Sequence, residues 1–203
     1  MRTGSKSELA DSIWKEIGHT QPQSIDPKTW KAPHVIIIID GGSLIHKIPW
    51  TKKHMTWGKL FSIIHQYIVR VYGENVIVWF DGYPDGPTTK DEAHLRRAGE
   101  KASTNITISE DKLITVSKKS FFANKKNNQA FNDALSQFLV RAGVTCKSAQ
   151  GDADLPMVND ALESAESTDT FVHGEDTDLL ILLLGKTEAR HYPITLVPHQ
   201  KKA

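Results

Sequence analysis

The chain has 203 residues, 39% of them hydrophobic and 24% charged, the composition of a soluble globular domain long enough to bury a full core. With 25 basic and 24 acidic side chains its net charge is +1, so no global basic field marks a nucleic-acid binder, and any such binding must rest on a local patch. A single cysteine, Cys146, excludes a disulfide framework; with no apolar leader and no apolar run longer than residues 179–184, the expectation is an intracellular protein of nucleus or cytoplasm with no membrane partner.

Residues 1–33 read as a polar lead-in: "ELADSIWKEIG" suits a short helix, and "HTQPQSIDPKTWKAP" is broken by three prolines. "HVIIII" is a β-branched run suited to a strand buried on both faces, and it ends at Asp40-Gly41-Gly42-Ser43. "WGKLFSIIHQYIVRVYG" places Leu60, Ile63, Ile64, Tyr67, Ile68 and Val71 at helical spacing and stops at Gly73. "NVIVWF" is a second strand, ending on Asp81. After "DGYPDGP", Thr89 and Glu92 form a capping box that opens a charged helix through about Lys101.

Residues 103–127 are mixed, with "KLITVS" as a short strand and "KKSFFANKKNNQ" as a basic connector. "AFNDALSQFLVRAG" is an amphipathic helix stopped by Gly143, and "VTCKSA" is a third strand. "GDADLPMVNDALESA" opens another helix, "DTFVHG" is a fourth strand, and "RHYPITLV" supplies a last one. Strands alternating with helices predict an α/β fold with a central, mainly parallel sheet flanked by helices.

In an open parallel sheet, ligands bind beyond the carboxyl ends of the strands. Asp40 ends the first strand and Asp81 the second; Asp152 and Asp154 follow the third, and Asp176 and Asp178 the fourth. A single aspartate after a strand commonly does no more than cap a helix or make a turn. Six together would repel one another unless cations neutralise them, and Mg²⁺ or Mn²⁺ suits an all-oxygen site. Two such ions, roughly 3.5–4 Å apart, would serve phosphodiester hydrolysis. The apolar run at 179–184 is expected to pack inward behind "EDTD" and fix the acids in place.

Two stretches carry a resemblance. "LSQFLVRAGVTCKSAQGDADLPMVNDALESA" followed by "VHGEDTDLLILLLG", together with "VIVWFDGYPDGPTTKDEAHLRRAGEKA", resembles the PIN-like catalytic core of the flap endonuclease/XPG-type structure-specific nucleases over about residues 34–185. The resemblance implies a three-layer PIN-like fold over residues 34–203 and a divalent-metal-dependent 5′-nuclease acting on DNA or RNA, with DNA favoured. It implies Asp40, Asp81, Asp152 and Asp154 around one ion and Asp176 and Asp178 around another. It places Lys90 and Arg97, seven residues apart and so on one helix face, against the scissile phosphate. A solvated helix with Lys90, Arg96 and Arg97 paired to Asp91, Glu92 and Glu100 is the competing expectation for that segment.

The chain departs from the family in several places. Asp152 and Asp154 stand where glutamates are usual, and residues 1–33 match no family element. The arch after the basic helix shrinks to about residues 103–127. No seventh aspartate follows Asp178, and the downstream helical DNA-binding element is missing before Ala203. These departures keep a second option open, a nucleic-acid-binding module of the same fold with little or no turnover. A phosphatase-like enzyme is a third, though "DGG" and "DGY" lack the second aspartate of that chemistry.

Lys118, Lys119, Lys125 and Lys126 interleave with Phe121 and Phe122, which suits phosphate contact and base stacking, or equally a solvated loop with its phenylalanines in the core. "GKT" at 185–187 resembles the end of a P-loop, but position 180 is Leu where glycine is needed. His173 and Cys146 read as core or surface residues rather than as a ligand and a nucleophile.

Overall fold

The computed structural model describes residues 12, 34–50, 54–83, 103–174, 176–188 and 192–197. Five strands, β1 (Ile36–Asp40), β2 (Val76–Phe80), β3 (Thr145–Ser148), β4 (Thr170–His173) and β5 (Ile194–Val197), form one sheet in the order β3-β2-β1-β4-β5. Every neighbouring pair is parallel, so the sheet is wholly rather than mainly parallel. Six helices accompany it among the described residues: α1 (Gly41–Lys47), α2 (Trp57–Val71), α3 (Lys118–Phe122), α4 (Lys125–Arg141), α5 (Asp154–Ser164) and α6 (Thr177–Lys186).

The isoleucine run of β1 explains its central place. Ile37, Ile38 and Ile39 are wholly buried, and the strand's pleat sends them to opposite faces. Ile37 and Ile39 join a core with Leu44 of α1, Phe61 and Ile64 of α2, and Phe131 and Leu135 of α4. Ile38 joins a second core with Met157, Val158 and Ala161 of α5 and Leu179 and Leu183 of α6. The result is three layers. Connections from β1 to β2 to β3 pack on one face and those from β3 to β4 to β5 on the other, and the strand order reverses between β1 and β4. In an open α/β sheet such a reversal of strand order is the usual ligand position.

Three expectations are corrected. "KLITVS" is not a strand: Leu113 makes a single antiparallel bridge to Thr56, and Ile114 N–H donates to the Met55 carbonyl at 2.8 Å. "KKSFFANKKNNQ" is not a connector but α3 and the start of α4. Ser117 Oγ accepts from Ser120 N–H at 3.1 Å and Asn124 Oδ1 from Lys126 N–H at 2.9 Å, giving each helix a side-chain N-cap. Residues 179–184 do not all pack inward. They are helical, so Leu179, Leu180 and Leu183 are buried while Ile181 and Leu184, three apart on the other face, are 39% and 50% exposed. The charged helix expected from Thr89 lies outside the described residues, as does nearly all of 1–33.

Candidate active site

Each of the strands β1 to β4 is followed by a carboxylate that accepts a backbone N–H. Asp40 closes β1 and caps α1, its Oδ1 accepting from Gly42 N–H at 2.9 Å. Asp176 does the same for α6 through Asp178 N–H at 3.0 Å, and Asp152 accepts from Asp154 N–H at 3.1 Å at the start of α5. Asp81 instead reaches across the sheet, its Oδ1 accepting from Ala153 N–H at 2.8 Å. That bond draws the start of α5, with Asp152 and Asp154 on either side of Ala153, to the end of β2. Gly82 N–H donates to Gly151 O at 2.8 Å, and a Cβ at Gly82 would collide with the Ala149 carbonyl, so β2 and β3 stay zipped past their last paired residues.

Glycines allow the acids this closeness. A Cβ on Gly41 would meet Phe80 Cδ1 at 2.6 Å and the Trp79 carbonyl at 2.7 Å, so only glycine lets α1 begin directly beside β2. At the end of β4, a Cβ on Gly174 would collide with the Leu179 side chain and come within 3.8 Å of Asp40 Cβ. Backbone at the ends of β1, β2 and β4 is thereby pressed together around Asp40.

The electrostatics follow from that crowding. Burial first, then the charge of Asp81, then that of Asp176 raise the Asp40 carboxyl from 3.8 to about 6, against the pull of backbone hydrogen bonds at Ser43 and Gly42. Tyr83, whose N–H donates to Gln129 Oε1 at 2.8 Å, is pushed up to about 12 by burial and by Asp81 and Asp40, so its phenol stays protonated and can donate. Asn132 of α4 fixes the segment from behind, Nδ2 donating to the Asp81 carbonyl at 3.0 Å.

The structure thus joins Asp40, Asp81 and Asp176 electrostatically and brings Asp152 and Asp154 up through Ala153; Asp178 opens the first turn of α6 beside Asp176. An all-oxygen donor set around a crowded, half-buried carboxyl fits a hard divalent cation in its chemistry. In spacing the fit is incomplete: among the described residues no three His, Cys, Asp or Glu side chains stand close enough together to hold an ion. Lys90 and Arg97 lie outside the described residues.

Of the four lysines expected to meet nucleic acid, Lys118 has another use. Its Nζ donates to the Ile45, His46 and Ile48 carbonyls at 2.6, 3.1 and 3.2 Å, finishing the C-terminus of α1, and burial lowers its pKa. Lys119 and Lys126 are exposed and Lys125 is half-buried. His173 is buried and packs edge-on against Tyr72, with ring centroids 4.6 Å apart; Cys146 is half-buried against the core, and burial pushes its thiol up to about 11.

A cavity of about 120 Å³ adjoins this edge, lined by Gly42, Asp81, Tyr83, Phe122, Asn128 and Asn132 among others. Sequence reasoning does not single out the last four as site residues, apart from Phe122 in the basic segment. A signal is nonetheless present: Asn128 and Asn132 continue the stripe of Phe131, Leu135 and Leu139, and an amide at a buried helical position needs a reason.

No protein-family model, no curated protein and no solved structure matches the chain.

Proposed function

We propose that the chain is a divalent-metal-dependent nuclease, hydrolysing phosphodiester bonds in DNA or RNA with DNA favoured, on a PIN-like core of the flap endonuclease/XPG type. The observation that carries this is the electrostatic coupling of Asp40 to Asp81 and Asp176, carboxylates at the ends of three neighbouring strands on either side of the reversal of strand order. Asp40, Asp81, Asp152 and Asp154 would hold one Mg²⁺ or Mn²⁺ and Asp176 and Asp178 a second. Such ions supply an activated water and a counter-charge for the leaving oxygen.

The chain's own residues supply the rest. Asp40, raised to about 6 by burial and its neighbouring carboxylates, would be held ionised by a bound cation. The protonated Tyr83 hydroxyl can donate to a phosphate oxygen, and Lys90 and Arg97 offset the charge that builds on it. The bond from Ala153 N–H to the Asp81 carboxylate ties the acids after the third strand to the end of the second.

The test is cleavage of end-labelled single-stranded and flapped oligonucleotides in Mn²⁺ and in EDTA, by wild type and by Asp176→Asn. Metal-dependent cleavage lost in the variant, with its fold intact, is expected. Undiminished cleavage by Asp176→Asn overturns the proposal. The want of a closed three-ligand group among the described residues favours a second option, a nucleic-acid-binding module with little turnover. Oligonucleotide binding without cleavage in Mn²⁺ is its signature.

A further inference from the structure

Asp160 of α5 is the only buried carboxylate among the described residues, 8% exposed. Both its oxygens are engaged. Oδ1 accepts from Lys147 Nζ of β3 at 2.7 Å, and Oδ2 accepts from Trp79 Nε1 of β2 at 2.8 Å. Trp79 and Lys147 are paired across the β2–β3 ladder, and the ammonium lies 5.7 Å from the centre of the indole ring. One carboxylate on a helix thus holds two strands.

Stability is a poor reason for such a cluster. Burying a carboxylate is costly, an ion pair roughly offsets that cost, and apolar side chains of similar volume usually serve a core as well or better. The rest of this face of α5 is apolar, with Met157, Val158 and Ala161 in one core with Ile38 and Val172. Apolar contacts have no direction and tolerate sliding. Hydrogen bonds do not, because they weaken steeply outside about 2.7–3.2 Å. What bonds to two strands add is a fixed position of α5 along and across the sheet.

That position matters at the start of the helix. Ala153, the N-cap residue of α5, makes no side-chain cap bond, and its N–H donates to Asp81 instead. Ala153 and Asp160 are seven residues apart and so share a helix face, while Trp79 and Asp81 are two residues apart in the chain. One face of α5 is therefore tied twice to one short stretch at the end of β2. A slip of one residue along the helix axis, about 1.5 Å, would break both bonds of Asp160 and carry Asp152 and Asp154 away from Asp81 by as much. A misplacement of about 1 Å can cost a reaction about a hundredfold.

We propose that Asp160 is a positioning residue: gripped by Trp79 and Lys147, it holds the start of α5, and with it Asp152 and Asp154, against Asp81. Its use in the reaction rests on the nuclease proposal; the tether itself does not.

The experiment is site-resolved amide hydrogen exchange by NMR on the full chain without metal, with thermal melts, followed by cleavage kinetics in Mn²⁺. It compares wild type, Trp79→Phe, and a triple variant, Trp79→Phe with Lys147→Met and Asp160→Leu, which fills the same space with apolar groups. In the triple variant the Ala153 amide should exchange about tenfold faster or more, with the amides of β1 unchanged. Its melting temperature should hold or rise. Its kcat should fall about a hundredfold with little change in KM. Trp79→Phe removes one bond and keeps the ion pair, so it should shift Ala153 exchange the same way by less; it decides the question if the triple variant does not fold.

Wild-type exchange at Ala153 in both variants overturns the inference. So does faster exchange spread evenly over α5 and β1 with a lower melting temperature, which makes the cluster a support of stability alone. Undiminished cleavage by variants whose Ala153 amide exchanges faster overturns the positioning role and leaves the nuclease proposal standing. A wild type that does not cleave removes the nuclease proposal, and the Ala153 amide still decides whether Asp160 holds the start of α5.

Discussion

Replacing Asp40 by Asn tests the site at its most crowded point. Raising a carboxyl from 3.8 to about 6 costs the ionised folded state about 3 kcal/mol. Asp40 is half-buried rather than sealed, and solvent screening brings this to roughly 1–3 kcal/mol. The sign is fixed by linkage. Below pH 3.8 both folded and unfolded states hold the proton and the group is neutral to stability. Between there and about pH 6 the folded state keeps a proton that the unfolded state has lost, so stability falls as pH rises; above about 6 the whole penalty applies.

Asparagine caps a helix about as well as aspartate, so the bond from Gly42 N–H survives while the charge goes. At pH 7.5 and without metal, Asp40→Asn should therefore melt higher, by roughly 2–12 °C at about 2–4 °C per kcal/mol for a chain of this size. The gap between variant and wild type should close as pH falls towards 4. Mg²⁺ or Mn²⁺ at about a hundredfold excess over its Kd should add about 2.7 kcal/mol to wild type and less to the variant. That gain should grow from about pH 5 to 7, as the carboxyl gives up its proton. Thermal melts over pH 4–7.5, with and without metal, read all of this. An Asp40→Asn protein that melts lower at pH 7.5, with a difference from wild type that ignores pH and metal, would refute the reasoning and leave Asp40 as a plain cap.

Lys118→Met removes the ammonium from three carbonyls at and just past the end of α1 and should lower stability by about 1.5–3 kcal/mol in a thermal melt, without changing the salt dependence of oligonucleotide binding. Lys119→Ala or Lys126→Ala should do the reverse, staying within about 0.5 kcal/mol in stability and flattening the plot of log K against log salt by about 0.7 for each phosphate left without its lysine. Gly41→Ala forces a methyl against Phe80 and the Trp79 carbonyl and should cost about 1–3 kcal/mol, with the Asp40 pH dependence weakened as α1 moves off β2; wild-type stability would show that the clash relaxes freely. Replacing both Lys90 and Arg97 by Ala should slow turnover by at least about 100- to 1000-fold with metal affinity unchanged, and an effect on melting alone would return that segment to a solvated helix.

The strands and long helices are legible because their signals are local. A β-branched run such as 35–39 has few other uses, and Gly73 and Gly143, at φ of 92° and 88°, stop helices where a left-handed residue is needed. Residues 118–129 read as a connector because four lysines and three asparagines hide the periodicity. Only the caps at Ser117 and Asn124 betray the helices, and a cap is recognisable once the helix after it is suspected. The acids at the strand ends are legible as a set. Their mutual distances are not, since these depend on strand order: Asp40 couples to Asp81 and Asp176 because β1 lies between β2 and β4. Lys118 illustrates the limit from the other side. Its charge suggests phosphate, and only the fold shows α3 arriving under the end of α1 to claim it.

The choice between caps and functional acids is not settled by finding that they cap. Asp40, Asp81, Asp152 and Asp176 each accept a backbone N–H, as the plainest account of an aspartate after a strand requires. A carboxylate has about four lone-pair sites, so one such bond leaves capacity for more. What separates the two accounts is the direction in which the group is driven. Backbone donors favour the ionised form, and a carboxylate that only caps is held below its ordinary value. At Asp40 two donors, from Gly42 and Ser43, pull that way, and burial with two neighbouring carboxylates overrides them both. Capping there needs an oxygen but no charge, and asparagine would provide it without the repulsion. The charge at Asp40 is therefore a net burden on the fold, and the proposed metal site would relieve it.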